Sequence, residues 1–303
     1  MAVISENPAA RPLTIGAIAL ILMLCTSWGF NQIAVKLVLP EIPPFLQATL
    51  RSVGALCIIL LVALVRGVKL FERDGTLKVG LALGVVFGVE FVLIFQGLTM
   101  TTATRAVVFL YTAPFFISLG AYRFLGERMR LSQWVGQGLC FTGVALAIGV
   151  PQPNVDAQVV LGDLMIVGGG ALWAVTTLMI KGSALRHIAP EKGLGYQTAV
   201  SIPILGGAAL LSGETMTALP GAHTLALLGY QAFWVAGLTF LLWFGLIKRF
   251  SASKLSTFTF ITPLIGVMAG YLIMGDHVNP IFGVAALLVV AGLYLVNRPE
   301  PLN

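Results

Sequence analysis

The sequence predicts an all-α membrane protein of ten transmembrane helices, arranged as two inverted five-helix repeats around a central cavity. Three observations carry this prediction. Hydrophobic residues make up 58% of the 303 positions and charged residues 10%, less than half of the roughly 25% usual in soluble domains. Apolar runs near the ~20 residues that cross a bilayer occur ten times. Finally, Phe109-Leu110-Tyr111-Thr112-Ala113-Pro114 with Gly126-Glu127 returns 149 residues later as Phe258-Thr259-Phe260-Ile261-Thr262-Pro263 with Gly275-Asp276.

The first run, 13–35, follows Arg11 but is too long for a signal-peptide core and lacks a small-x-small cleavage site, so it is read as a mature span. Next come 45–65, which contains Arg51, 77–98 with Glu90, 103–125 with Pro114, and 132–150. The second set is 160–181, 194–212, 223–246, 252–274 with Pro263, and 279–297. The connections are short, so the expected halves are residues 1–150 and 151–303, with no inserted soluble domain.

Charge sets the direction of each span. With a cytoplasmic N-terminus, inside connections collect 15 of the 18 Lys and Arg residues; Lys36 and Arg105 fall at outside edges, and Arg51 lies within the second span. The positive-inside rule therefore places both termini in the cytoplasm. The Pro114 span then runs inward and the Pro263 span outward, so the halves are inverted copies, an arrangement common in secondary transporters. Trp28 and Lys36 are eight residues apart, as are Trp173 and Lys181. Residues 95–148 match 244–297 at 10 of 54 positions, including Ala103/Ala252, Tyr122/Tyr271 and Gly143/Gly292.

Several classes of function lose support. Cys25, Cys57 and Cys140 lie in apolar runs without Cys-x-x-Cys spacing, and His187, His223 and His277 are scattered, so no metal set is expected. Gly168-Gly169-Gly170 lacks the dinucleotide-binding pattern and a Walker lysine. No cofactor is expected, and the basic excess is read as loop charge rather than a nucleic-acid surface.

Ser27-Trp28-Gly29-Phe30-Asn31 through Lys36, Ala113-Pro114 with Leu125-Gly126-Glu127, and Leu242-Trp243-Phe244 through Ser251-Ala252-Ser253-Lys254 and Pro263 resemble the EamA family of the drug/metabolite transporter superfamily. The resemblance covers essentially the whole chain. It implies ten helices in two inverted repeats, a cavity between the halves and alternating access. Within the family, Glu90, Tyr111, Trp173 and Trp243 are similar to the pattern of YddG-type aromatic amino acid exporters. The chain departs at Ala113, where those exporters have a Trp, which points to a broader amino acid range.

Glu90 is the acidic residue nearest the middle of a span, and holding a carboxylate there costs at least ~2.5 kcal/mol. It serves as a counter-charge for a substrate ammonium, as a protonatable group, or as a protonated carboxyl bonding a neighbouring helix. Trp173 and Trp243 either wall a cavity or pack helices, and Trp28 reads mainly as scaffold. Tyr111, one turn before Pro114, lies near a carbonyl that the proline leaves without a donor. Asn31 and Gln32, with Thr176 and Thr177 at the matching place, are candidates for an amino acid's carboxylate and amine, or helix glue. Pro114 and Pro263 are expected kinks, either gating bends or static shapers of the cavity. Arg105 and Lys254, matched across the repeat, either attract anionic substrates or, as the preferred expectation, snorkel to the surface.

The expectation is a multi-pass protein of the bacterial inner membrane, a monomer or weak dimer, exporting or facilitating aromatic and other neutral amino acids, with the proton as a candidate coupling ion. A multidrug or cationic-metabolite exporter of the same fold is the alternative. An enzyme is not expected, because no nucleophile, base or metal constellation faces one place.

Overall fold

The computed structural model describes residues 13–101, 103–148, 156–216, 218–275 and 280–298. Arg11, Asp276, His277, the 150/151 boundary between the halves and the ends of the fifth and tenth expected spans (149–150 and 279) lie outside them. The described residues are helical, with no β-strand.

The first half comprises α1 (Ile15–Val38), α2 (Pro44–Val65), α3 (Leu77–Met100), α4 (Ala103–Leu110), α5 (Ala113–Leu125) and α6 (Leu131–Ile148). The second comprises α7 (Ala157–Gly182), a 3-10 turn (Ala184–His187), α8 (Pro190–Leu211), α9 (Ala222–Gly229) running through a π-helical stretch (Tyr230–Thr239) into α10 (Phe240–Arg249), α11 (Ala252–Phe258), α12 (Ile261–Ala269) and α13 (Phe282–Asn297). Among the described residues, nine helical runs are long and apolar enough to cross a membrane. The expected tenth is the shorter α13, 16 residues long, below the ~20 of a typical span.

Local chemistry explains the boundaries. The Thr14 hydroxyl accepts from Ala17 N at the start of α1, and Pro44 and Pro190 open α2 and α8, where a missing N–H costs nothing. Gly126 and its repeat partner Gly275 both end helices at positive φ, 69° and 71°, a conformation that disfavours any residue with a Cβ. That accounts for the conserved spacing from each proline to its glycine within this chain.

Contacts between the halves follow the repeat. Exchanging the halves maps α1 with α12 onto α5 with α7 and α2 with the π-helical stretch onto α3 with α8, and maps α6 with α13 and α2 with α8 each onto itself. The α3–α7 contact departs from this, being far more extensive than its counterpart between α1 and the α9–α10 span. Residues 149 positions apart meet each other, as they must near a two-fold axis: the Tyr111 and Phe260 rings are 6.1 Å apart, and the Cys140 thiol donates to the Val289 carbonyl at 3.5 Å.

Small residues let the helices approach. Gly80, Gly84 and Gly88 form a groove on α3 that receives Tyr196, Val200 and Ile204 of α8. Glu90, about 200° round the helix from Gly88, is thereby turned away from α8, and it is buried. In the α6–α13 pair, a Cβ on Gly136 would stand 2.6 Å from the Gly292 carbonyl oxygen. Backbone cannot yield there. Gly136→Leu is therefore expected to destabilise the protein by about 1–3 kcal/mol or more, read as a lower unfolding temperature in detergent. Gly138→Leu, on the same helix with nothing within 4 Å of its would-be Cβ, should leave it unchanged.

Candidate functional site

The two proline spans are interrupted rather than smoothly kinked. Tyr111 and Thr112 form a turn between α4 and α5, and Thr259 and Phe260 form one between α11 and α12. Pro114 and Pro263 cannot donate to the carbonyls four residues back. Other donors cover the breaks: the Thr112 hydroxyl donates to Phe109 O (2.6 Å), Thr262 N to Thr259 O (2.9 Å), and the Cys25 thiol to Phe258 O (3.4 Å). Gln137 joins the region from α6, its amide donating to Pro114 O, Ser118 and Thr257.

The aromatic candidates fall into two clusters. Tyr111, buried, stands edge-on to Trp173 at 6.4 Å, and Phe260 and Phe115 continue the stack at 6.3 Å. Trp243 belongs to the other cluster: it packs edge-on against Trp28 at 5.4 Å, and Trp28 meets Phe240, which reaches Phe87 on α3. The Trp28 indole donates to the Thr239 hydroxyl at 2.9 Å. Trp173 and Trp243 thus do not share one wall. The Thr176 and Thr177 hydroxyls both donate to the Trp173 carbonyl in their own helix, while the side-chain oxygen of half-buried Asn31 has no partner.

Glu90 sits between Phe87 and Phe91 on α3, and Gly169 of α7 packs beside its backbone carbonyl. It is 5% exposed and its Oε2 has no hydrogen-bond partner. Sequence reasoning overlooked the neighbour that matters to it. Arg51 on α2 is also buried, lies over the Phe91 ring at 4.6 Å, and leaves its Nε unpartnered. No ion pair or hydrogen bond joins the two side chains, although the ring that Arg51 covers belongs to the residue next to Glu90. The signal lies in the sequence: Arg51 is a basic residue well inside the second span rather than in a connection.

Arg105 does not snorkel. It is buried and grips Asp163 of α7 through two nitrogens, Nε to Oδ2 at 3.0 Å, while Thr101 donates to the same carboxylate at 2.6 Å. An arginine with a buried carboxylate in reach gains more from a forked pair than from reaching the interface. At the opposite end of α7, Lys181 donates to Glu127 (2.6 Å) and to the Phe250 carbonyl. Glu127 also accepts from Ala252 N (3.0 Å), Ser253 N (3.3 Å) and the Ser251 and Ser253 hydroxyls, so it caps the N-terminus of α11 where donors are otherwise orphaned. Further pairs on this end, Arg66–Glu191 and Lys192–Asp74, join the second-to-third span loop to α8. Glu90, Tyr111, Thr176 and Trp243 are buried, and Asn31 and Trp173 are half-buried.

The model of the EamA-like transporter family matches residues 15–149 and again 160–298. The uncharacterized transporter YoaV of Bacillus subtilis (strain 168) is 23% identical over 88% of this chain and 92% of its own length. A probable amino-acid metabolite efflux pump of Salmonella typhimurium is 26% identical, covering 91% of this chain and 93% of the relative. A riboflavin transporter of Rhizobium johnstonii is 30% identical over 67% of this chain and 65% of the relative. A solved crystal structure superposes with a TM-score of 0.78 at 18% identity, covering 93% of this chain and 97% of the other; at that identity it bears on fold alone.

Burial raises the Glu127 carboxyl, but the Lys181 charge and hydrogen bonds from Lys181, Ser251 and Ala252 outweigh it and hold the group below its ordinary value near 4.5. A carboxyl depressed on folding stabilises the protein fully above its unfolded pKa, and that contribution is lost as pH falls through the folded value. Glu127→Gln should therefore lower stability at neutral pH by about 2 kcal/mol and flatten the decline below pH about 4.5. Thermal unfolding across a pH series checks both.

Proposed function

The chain belongs to the EamA-like transporter family, and from that premise we propose that it is a secondary transporter for amino acids, aromatic and other neutral ones, working by alternating access. It is a multi-pass membrane protein, by its family and its long apolar helices. The reading extends to export or facilitated passage across a bacterial inner membrane with both termini cytoplasmic, to function as a monomer or weak dimer, and to the two halves, 1–150 and 151–303, moving against each other.

The single observation that carries the reading is Glu90: a carboxylate buried on α3, where Gly169 of α7 packs beside its backbone, with an oxygen left unpaired. A charge at that depth is expensive and marks a solute or ion pathway by default. Phe87 and Phe91 flank it on α3, Tyr111 and Trp173 supply a second aromatic face, Trp243 braces Trp28, and Asn31 and Thr176 add polar atoms from α1 and α7. The breaks at Pro114 and Pro263 give each half a bend at the same depth. The name of the Salmonella relative, an amino-acid metabolite efflux pump, supports this substrate class. The alternative, a drug-cation exporter, is disfavoured by Arg51, whose buried guanidinium lies over Phe91, the residue after Glu90.

Counterflow in liposomes with labelled amino acids, with and without a pH gradient, tests the reading. Glu90→Gln is expected to cut flux at least about tenfold, the loss of one charge-assisted contact, while the variant still elutes as a folded species. Unchanged flux at every pH sinks the role of Glu90, and drug cations competing where amino acids do not would select the alternative.

A further inference from the structure

The buried charges near the ends of the bundle, Arg105, Asp163, Glu191 and Lys192, each have an ion-pair partner. Arg51 and Glu90 differ. Both are more than nine-tenths buried, both retain an unpartnered polar atom, and neither makes a contact pair with the other. Arg51 is seven residues from the start of α2 and Glu90 ten from the end of α3, so at 1.5 Å per residue they lie roughly 10 and 15 Å from the same end of the bundle. The Arg51 guanidinium rests over the ring of Phe91, the residue that follows Glu90, at 4.6 Å.

Two glutamines extend the set. Gln47 is one turn from Arg51 on α2, and its amide donates to Gln231 Oε1 at 2.9 Å. Both side chains are buried, and the pairing leaves Gln47 Oε1 and Gln231 Nε2 without partners. Gln231 belongs to the π-helical stretch, a backbone form concentrated at functional sites. The unpaired atoms are thus two donors, on Arg51 and Gln231, and two acceptors, on Glu90 and Gln47. Buried polar atoms left open in this way are destabilising unless something binds them.

We propose that Arg51 and Glu90 form a two-point site for a zwitterion, with Arg51 taking the carboxylate and Glu90 the ammonium, and Gln47 and Gln231 completing the hydrogen bonds. This rests on the transport reading above and adds to it a specificity rule: the solute must carry both charges. A neutral or singly charged analogue leaves one buried charge uncompensated, which costs more than a lost contact.

The test begins with the wild-type protein. Labelled leucine and phenylalanine counterflow is measured against each amino acid, its amide and its decarboxylated amine. The amides and amines are expected to compete at least tenfold more weakly. Arg51→Gln, checked for folding by size-exclusion chromatography, should lose at least tenfold in amino acid flux and lose the preference over the amine, while Arg51→Lys should retain part of both. If amino acids exchange but amides and amines compete equally, or if folded Arg51→Gln keeps wild-type selectivity, the two-point site is overturned and the transport reading stands. If neither amino acid exchanges, both fall for these solutes.

Discussion

Everything in this fold answers to one constraint: in hydrocarbon there is no water to take a free backbone carbonyl or amide. Pro114 and Pro263 each remove a donor in the middle of a span, and the chain there turns instead of bending. Such breaks are tolerated only where other protein groups cover them. The structure accordingly places both broken spans inside the bundle, with Thr112, Cys25 and Gln137 donating to exposed carbonyls. The polar middle of the molecule is therefore a consequence of the two prolines. It is also where Tyr111, Thr257 and Thr262 concentrate, all of them buried.

The repeat explains the scaffold, and its departures locate the chemistry. Tyr111 touches its own counterpart Phe260 across the two-fold relation, and Cys140 touches Val289. At these points the halves can differ only as far as the contact allows. Glu90, by contrast, corresponds to Thr239, which accepts from the Trp28 indole and donates to the Val235 carbonyl. One copy of the position is satisfied within the fold; the other has an open carboxylate oxygen. The Trp28 cluster reaches both copies: its indole bonds Thr239, and through Phe240 it meets Phe87, one turn from Glu90.

Most of the architecture was legible in the sequence because bilayer thickness imposes run length and the prolines and glycines impose breaks and caps. The family, the helical class and the position of both interruptions follow from residues that act locally. What stayed hidden depends on partners far apart in the chain. Arg105 reads as an interfacial cation until α7 brings Asp163 beside it, 58 positions away. Arg51 reads as a misplaced charge until α3 brings Phe91 under it. The π-helical stretch from Tyr230 to Thr239 left no local mark either, and nothing in its composition announces the extra residue per turn. Trp173 and Trp243 were grouped by residue type, and the packing separated them.

The pairing of ends bears on how such a bundle can move. The Pro114 span and α7 run in the same direction and are tied twice, Arg105 to Asp163 near one end and Glu127 to Lys181 at the other. They behave as one strut. By the repeat, the strut formed by α1 and the Pro263 span places Ile18 opposite Lys254, so the first of these ties has no counterpart there. Glu127 does more than close its own strut: it also holds the first turn of α11, the start of the opposite strut. A single carboxylate thus closes its own strut and fastens it to the other strut at the same end. Separating the struts at that end requires the first turn of α11 to lose the Glu127 contacts, whereas breaking Arg105 from Asp163 would loosen one strut without parting the two.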